Sequence, residues 1–125
     1  VVRMMAVKDL CRSAYYAYRV AQHVTEAEDR LGSGTVSAVE KMARTTAWMQ
    51  QNAFDAFMKK DLGLASSVID RMDEVRKLYE TLFVSSERSV KAGAFLPFSL
   101  IVRDIRGIAG YAVALADDAV LAAFN

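Results

Sequence analysis

LCRSAYYAYRVAQ at residues 10–22 and IRGIAGYAVALAD at residues 105–117 decide the fold, because the second stretch repeats the first. Laid over one another they share Ala14 with Ala109, Tyr16 with Tyr111, Ala17 with Ala112 and Ala21 with Ala116. Alanines three, four and seven apart fall on one face of a helix. Two helices bearing the same small-residue stripe, with two further helical segments between them, predict a bundle with internal pseudo-symmetry. The stripes are expected to let the two backbones approach closely, making the terminal helices neighbours.

Working outward, the helical period divides the chain into four segments, at 2–31, 36–59, 61–91 and 97–124. Gly32-Ser33-Gly34 breaks the first from the second, with Ser33 or Thr35 as candidate caps. Lys59 and Lys60 close the second, where cations suit the negative end of the helix dipole. Asp61 is the expected N-cap of the third. Ala92 to Phe95 forms the next break, and Pro97 suits the first turn of the last helix, where its missing N–H is not needed. Equal segments joined by short loops predict an all-α, antiparallel, up-down-up-down bundle of four long helices. Nothing alternates with the period of a strand.

Composition narrows the function. The chain has 125 residues, enough for one domain with a real core, and 54% are apolar. Sixteen basic side chains stand against 15 acidic, which argues against nucleic acid as the main partner. No window of about 18 residues is free of charge, so no membrane insertion is expected. The single cysteine, Cys11, has no internal disulfide partner and no histidine beside it; it is expected to be a buried structural thiol. His23 and Glu26 share a helix face, but one histidine without a Glu-x-x-His motif does not build a di-iron bundle, and His23 reads as a surface or boundary residue. No phosphate-binding glycine loop and no nucleophile elbow is present. Trp48, Phe54 and Phe57 are expected in the core, and the six methionines, Met4, Met5, Met42, Met49, Met58 and Met72, as its gap-fillers. Gly107 and Gly110 are expected at a close helix crossing. Tyr15, Tyr16 and Tyr18 cannot all face one core, so Tyr15 and Tyr18 are candidates for a partner-binding surface.

Residues 59–79, KKDLGLASSVIDRMDEVRKLY, resemble the signature of PhoU-like domains, in which K-D-x-x-x-A-x-x-V-I-x-R-x-D-E-V-x-x-L-Y recurs on the long central helix. The repeated stripe is similar to the helix that ends each three-helix PhoU repeat. The resemblance implies that the first segment is the last helix of a preceding repeat, that the other three form a complete repeat, and that the chain is part of a longer protein. It also implies a non-enzymatic, cytoplasmic regulator of phosphate uptake or phosphate signalling. Such a regulator is usually oligomeric and contacts a transporter ATPase subunit or a sensor kinase. A regulatory oligomerisation module of another ion transport system is the alternative.

The departures from the family bear on metal. Where the family's terminal helix carries metal-binding Glu and Asp, this chain has Cys11 and Arg106 in the glutamate positions and Tyr15 and Gly110 in the aspartate positions. No family-type metal cluster and no cofactor is therefore expected. Asp70, Asp73, Glu74 and Asp117 remain as weak candidates for a residual divalent site in a metal- or ligand-binding bundle, with a solvated helix face as their ordinary reading.

Overall fold

The computed structural model describes residues 1–27, 33–89 and 95–124. They form four helices, α1 (Val2–Ala27), α2 (Ser33–Lys59), α3 (Leu62–Ser89) and α4 (Phe95–Ala123), with no strand among the described residues. The all-α bundle expected from the sequence is thus present, and each helix spans about 40 Å. Its boundaries shift in two places. α2 already begins at Ser33, so Thr35 lies inside its first turn rather than ahead of it, and Phe95 is helical although it reads as part of a break. Leu31, Gly32 and residues 90–94 lie outside the described residues. Pro97 is the third residue of α4 and buried, a position where the helix asks for no N–H bond.

The turn between α2 and α3 follows from three side chains. Lys60 takes the left-handed backbone (φ 54°), and Asp61 N–H reaches back to the Ala56 carbonyl at 3.0 Å, closing α2 with a Schellman-type cap. Asp61 then caps α3 as expected: its Oδ1 accepts from Leu64 N–H at 3.0 Å. Two long helices are thereby turned back on each other within a two-residue connection.

α4 is the hub. It packs against α1, α2 and α3; α2 also packs on α3, whereas α1 makes no close backbone contact with α2 or α3 among the described residues. The arrangement is a three-helix bundle with α1 laid on the outside of α4, not a square of four equivalent helices. The core lies between α2, α3 and α4: Met42 and Met49 from α2, Val68 and Val75 from α3, and Phe98, Ile101, Val102 and Leu115 from α4 are fully or almost fully buried. Truncating Met42, Met49, Ile101 or Leu115 to alanine costs on the order of 2–5 kcal/mol. Phe83 meets Phe95 and Phe98 at centroid distances of 6.5 and 6.2 Å, sealing one end of the α3–α4 seam.

Several core expectations need correction. Met4 and Met58 are exposed (76% and 65%), Phe54 is 40% exposed and Cys11 lies at the surface. Met4 and Cys11 lie on the uncovered side of α1, whereas Phe54 and Met58 line an open cleft between α1 and α2. Trp48 is half-buried, its ring under the Arg71 guanidinium at 4.4 Å.

Candidate functional site

The α1–α4 seam brings a set of polar and aromatic side chains together, and it is antiparallel throughout. Asp9 bonds Asp118. Arg12 donates to the Tyr111 hydroxyl at 3.3 Å, and Tyr16 stacks on Tyr111 at a centroid distance of 5.7 Å. The Tyr16 ring also lies 3.7 Å from where a β-carbon on Gly107 would stand. Arg19 Nε is 3.3 Å from Asp104 Oδ2, and His23 Nε2 is 3.8 Å from the same oxygen.

These contacts obey a pseudo-twofold rule. In the repeat, Asp9 is equivalent to Asp104, Arg12 to Gly107, Tyr16 to Tyr111 and His23 to Asp118. Asp9 meets the equivalent of His23, and His23 meets the equivalent of Asp9; Tyr16 stacks on its own equivalent. Such a self-complementary pattern is what a dyad between two copies of one helix produces.

The terminal helices are neighbours, as expected, but not through their alanines. Ala14, Ala17 and Ala21 are exposed, while Ala109, Ala112 and Ala116 are fully buried. The dyad brings polar residues and tyrosines together at the α1–α4 seam and turns both alanine stripes elsewhere. On α4 that other face, from Val102 through Ile105 to Ala119, is buried in the bundle core. On α1 the equivalent face, from Val7 through Leu10 to Val24, stays largely uncovered. It continues at its lower end into a cleft of about 580 Å³ lined by Val2, Ala6, Leu10, Phe54, Phe57 and Ala122. The cleft is mostly apolar, with Arg3 and Lys60 also in its lining, and brings no acid–base pair together.

Electrostatics distinguish the two ends of the seam. Asp104 is fully buried and held by Arg19 and His23, with Arg103 Nε at 4.0 Å from its other oxygen. At the opposite end Asp118, 2% exposed, is pushed up to about 7, first by burial, then by its hydrogen bond and charge repulsion with Asp9 and by Asp117, against a smaller pull from Lys8.

The weak metal candidates are not gathered. Asp73 pairs with Arg76 at 3.2 Å and Glu74 with Arg71 at 3.8 Å, both on the exposed side of α3. Asp117 is exposed on α4, and Asp70 is exposed on α3. Among the described residues no three His, Cys, Asp or Glu side chains converge on a point that would hold a metal ion. The Glu26 side chain lies outside the described residues. Arg106, in a family glutamate position, places its guanidinium 4.7 Å over the Tyr79 ring. Tyr15 and Tyr18 are 58% and 62% exposed, both on the solvent side of α1. Gly110 faces open space and takes no part in a crossing; Gly107 alone fulfils that expectation. Sequence reading missed Asp9, Arg19, Asp104 and Asp118. Acids inside an apolar repeat, at equivalent positions such as 9 and 104, were the available signal. No helix is long and apolar enough to cross a membrane among the described residues.

The PhoU domain, compared as a family, matches residues 39–119, from the first third of α2 to near the end of α4. This is well over half of the chain, which therefore belongs to the PhoU domain family. No curated protein and no solved structure matches it.

Proposed function

We propose that this PhoU-domain chain is a non-enzymatic regulator of phosphate uptake or phosphate signalling in the cytoplasm, working as part of an oligomer through contact with a protein partner. The observation that supports it is the uncovered side of α1. Met4, Val7, Cys11, Ala14, Tyr18 and Ala21 recur at intervals of three and four along its length, all exposed and none charged. A surface of this kind receives another helix: the spacing is that of a coiled-coil seam, and Tyr15 and Tyr18 offer apolar area with a polar tip. Nothing in the α1–α4 seam has the donor and acceptor arrangement of a reaction centre. A transporter ATPase subunit or a sensor kinase is the partner class the family membership suggests.

The test is capture of purified candidate partners, the ATPase subunit, the kinase and a potassium-channel subunit, by the wild-type chain and by Ala17→Glu and Tyr18→Glu. Binding to the ATPase or kinase that falls at least about tenfold in both variants, with helical content unchanged, supports the reading. Binding to the channel subunit alone supports a module of another ion transport system instead.

A second reading has its own observation. Val7, Leu10, Ala14, Ala17, Ala21 and Val24 stand in the repeat where α4 has Val102, Ile105, Ala109, Ala112, Ala116 and Ala119, six residues buried in the core of α2, α3 and α4. On this reading a helical hairpin built like α2–α3, from a preceding repeat of the same polypeptide, covers α1. A thiol placed by Ala17→Cys then reacts slowly in the longer polypeptide and rapidly in the 125-residue chain.

A further inference from the structure

Because α1 packs on α4 and not on the backbone of α2, a gap opens between α1 and α2. At one level side chains bridge it: Ser13 of α1 donates to Gln50 of α2 at 3.2 Å. Beyond that bond the two helices run antiparallel on either side of the 580 Å³ cleft, whose walls are Ala6 and Leu10 from α1 and Phe54 and Phe57 from α2. Arg3 and Lys60 also line it. Arg3 is ten residues before Ser13 and Lys60 ten residues after Gln50, so both stand at one level, about 15 Å from the bridging bond. The cleft therefore has a closed apolar end and an open end marked by two cations.

Neither cation is neutralised by the protein. Among the described residues no acid forms an ion pair with Arg3 or Lys60. The carboxylates nearest Lys60 in sequence are engaged elsewhere: Asp55 accepts from Gln51, and Asp61 accepts from Leu64 N–H. Two free positive charges at the mouth of an apolar cleft complement a ligand with one anionic end and one apolar end. Size agrees, since small-molecule sites occupy about 300–1,000 Å³. The distance of about 15 Å between the cations and the Ser13–Gln50 bond takes a carboxylate with roughly ten extended carbons behind it. Arg3 and Lys60 are both exposed, which suits a monoanion that keeps part of its headgroup in water.

We infer that the α1–α2 cleft binds a medium-chain fatty acid, its carboxylate between Arg3 and Lys60 and its tail running past Ala6 and Phe57 to Leu10 and Phe54. The tail fills the gap that separates α1 from α2. Bound ligand thereby gives the first half of α1 a second apolar neighbour besides α4, and steadies it in place. The site does not depend on which partner α1 meets.

Calorimetric titration of the whole chain with hexanoate, octanoate, decanoate and tetradecanoate, all below micelle formation, tests the assignment. One decanoate binds per chain, and each pair of methylenes added between six and ten carbons tightens binding by about tenfold. Tetradecanoate, longer than the cleft, gains less than about threefold over decanoate instead of the hundredfold or so that four further buried methylenes would bring. Decanol, with the same tail and no charge, binds at least about fivefold more weakly than decanoate. Arg3→Gln combined with Lys60→Asn, where asparagine keeps the left-handed backbone, brings decanoate down to the level of decanol. Val7→Glu, which puts an acid at an exposed position of the lining, abolishes binding. Absence of saturable decanoate binding overturns the inference, as does a decanoate affinity unchanged in the double variant or still climbing steeply at fourteen carbons. Decanoate binding that vanishes in the longer polypeptide also overturns it, and assigns the cleft to a covering helix.

Discussion

The Tyr16 ring of α1 lies flat against Gly107 of α4, with ring carbons 3.7 Å from the position of an added β-carbon. That distance is ordinary contact, so the crossing is close without being closed. Gly107→Ala therefore fits and gains helix propensity, stabilising by about 0.5–1 kcal/mol, whereas Gly107→Leu drives into the ring and costs about 1–3 kcal/mol. Urea unfolding of the two variants beside wild type measures both signs. Gly110→Ala, facing open space, gains about as much as Gly107→Ala.

Asp104 is fully buried, and Arg19 is its nearest cation. Arg19→Met leaves the carboxylate with His23 and the more distant Arg103, and is expected to cost on the order of 3 kcal/mol, because breaking a buried pair strands a charge. Removing both charges in Arg19→Met with Asp104→Leu is expected to restore most of that stability. The comparison is a double-mutant cycle in chemical denaturation, and a double variant no better than Arg19→Met alone contradicts the account.

The turn between α2 and α3 offers a gain and a loss two atoms of backbone apart. Lys60 sits at φ 54°, where a β-carbon is disfavoured, so Lys60→Gly stabilises by about 1 kcal/mol. Asp61→Ala removes the acceptor of Leu64 N–H and costs about 1 kcal/mol. Thermal melts of the two variants should move in opposite directions.

Global stability also responds to Asp118. Because its folded-state pKa is raised from 3.8 to about 7, the native state binds the proton more tightly than the unfolded chain between those values. Unfolding free energy attributable to this group is therefore full below about pH 4, falls as pH rises toward about 7, and is level above that. Relative to wild type, Asp118→Asn should flatten the slope of stability against pH in that window, as measured by denaturant midpoints at fixed salt.

How much of this was legible in the sequence varies with the physics involved. Helix existence was plain, because amphipathic period and the Asp61 cap are local properties. The adjacency of α1 and α4 was predicted from Ala14, Ala17 and Ala21 lying in register with Ala109, Ala112 and Ala116, yet the contact runs through Tyr16, Arg19 and Asp104. Periodicity says that a face is apolar; it does not say which neighbour covers it. The same limit explains Met4 and Cys11, which carry core chemistry on a face that no helix of the bundle covers, and Met58, which lines an open cleft. Asp9 and Asp118 escaped notice because an acid at one position of a helix reads as solvated until a partner helix is laid over it.

A rod that mates with its own duplicate feels each substitution at two places, since position 9 in one copy and position 23 in the other share a contact, and the reverse contact holds equally. In two identical copies, an aspartate at the first position and any residue at the second would have to suit both ends together. The two copies are not identical: histidine occupies the second position at one end and aspartate at the other. The shared register therefore ends in unlike pairs: an acid among cations at one end, and two acids at the other.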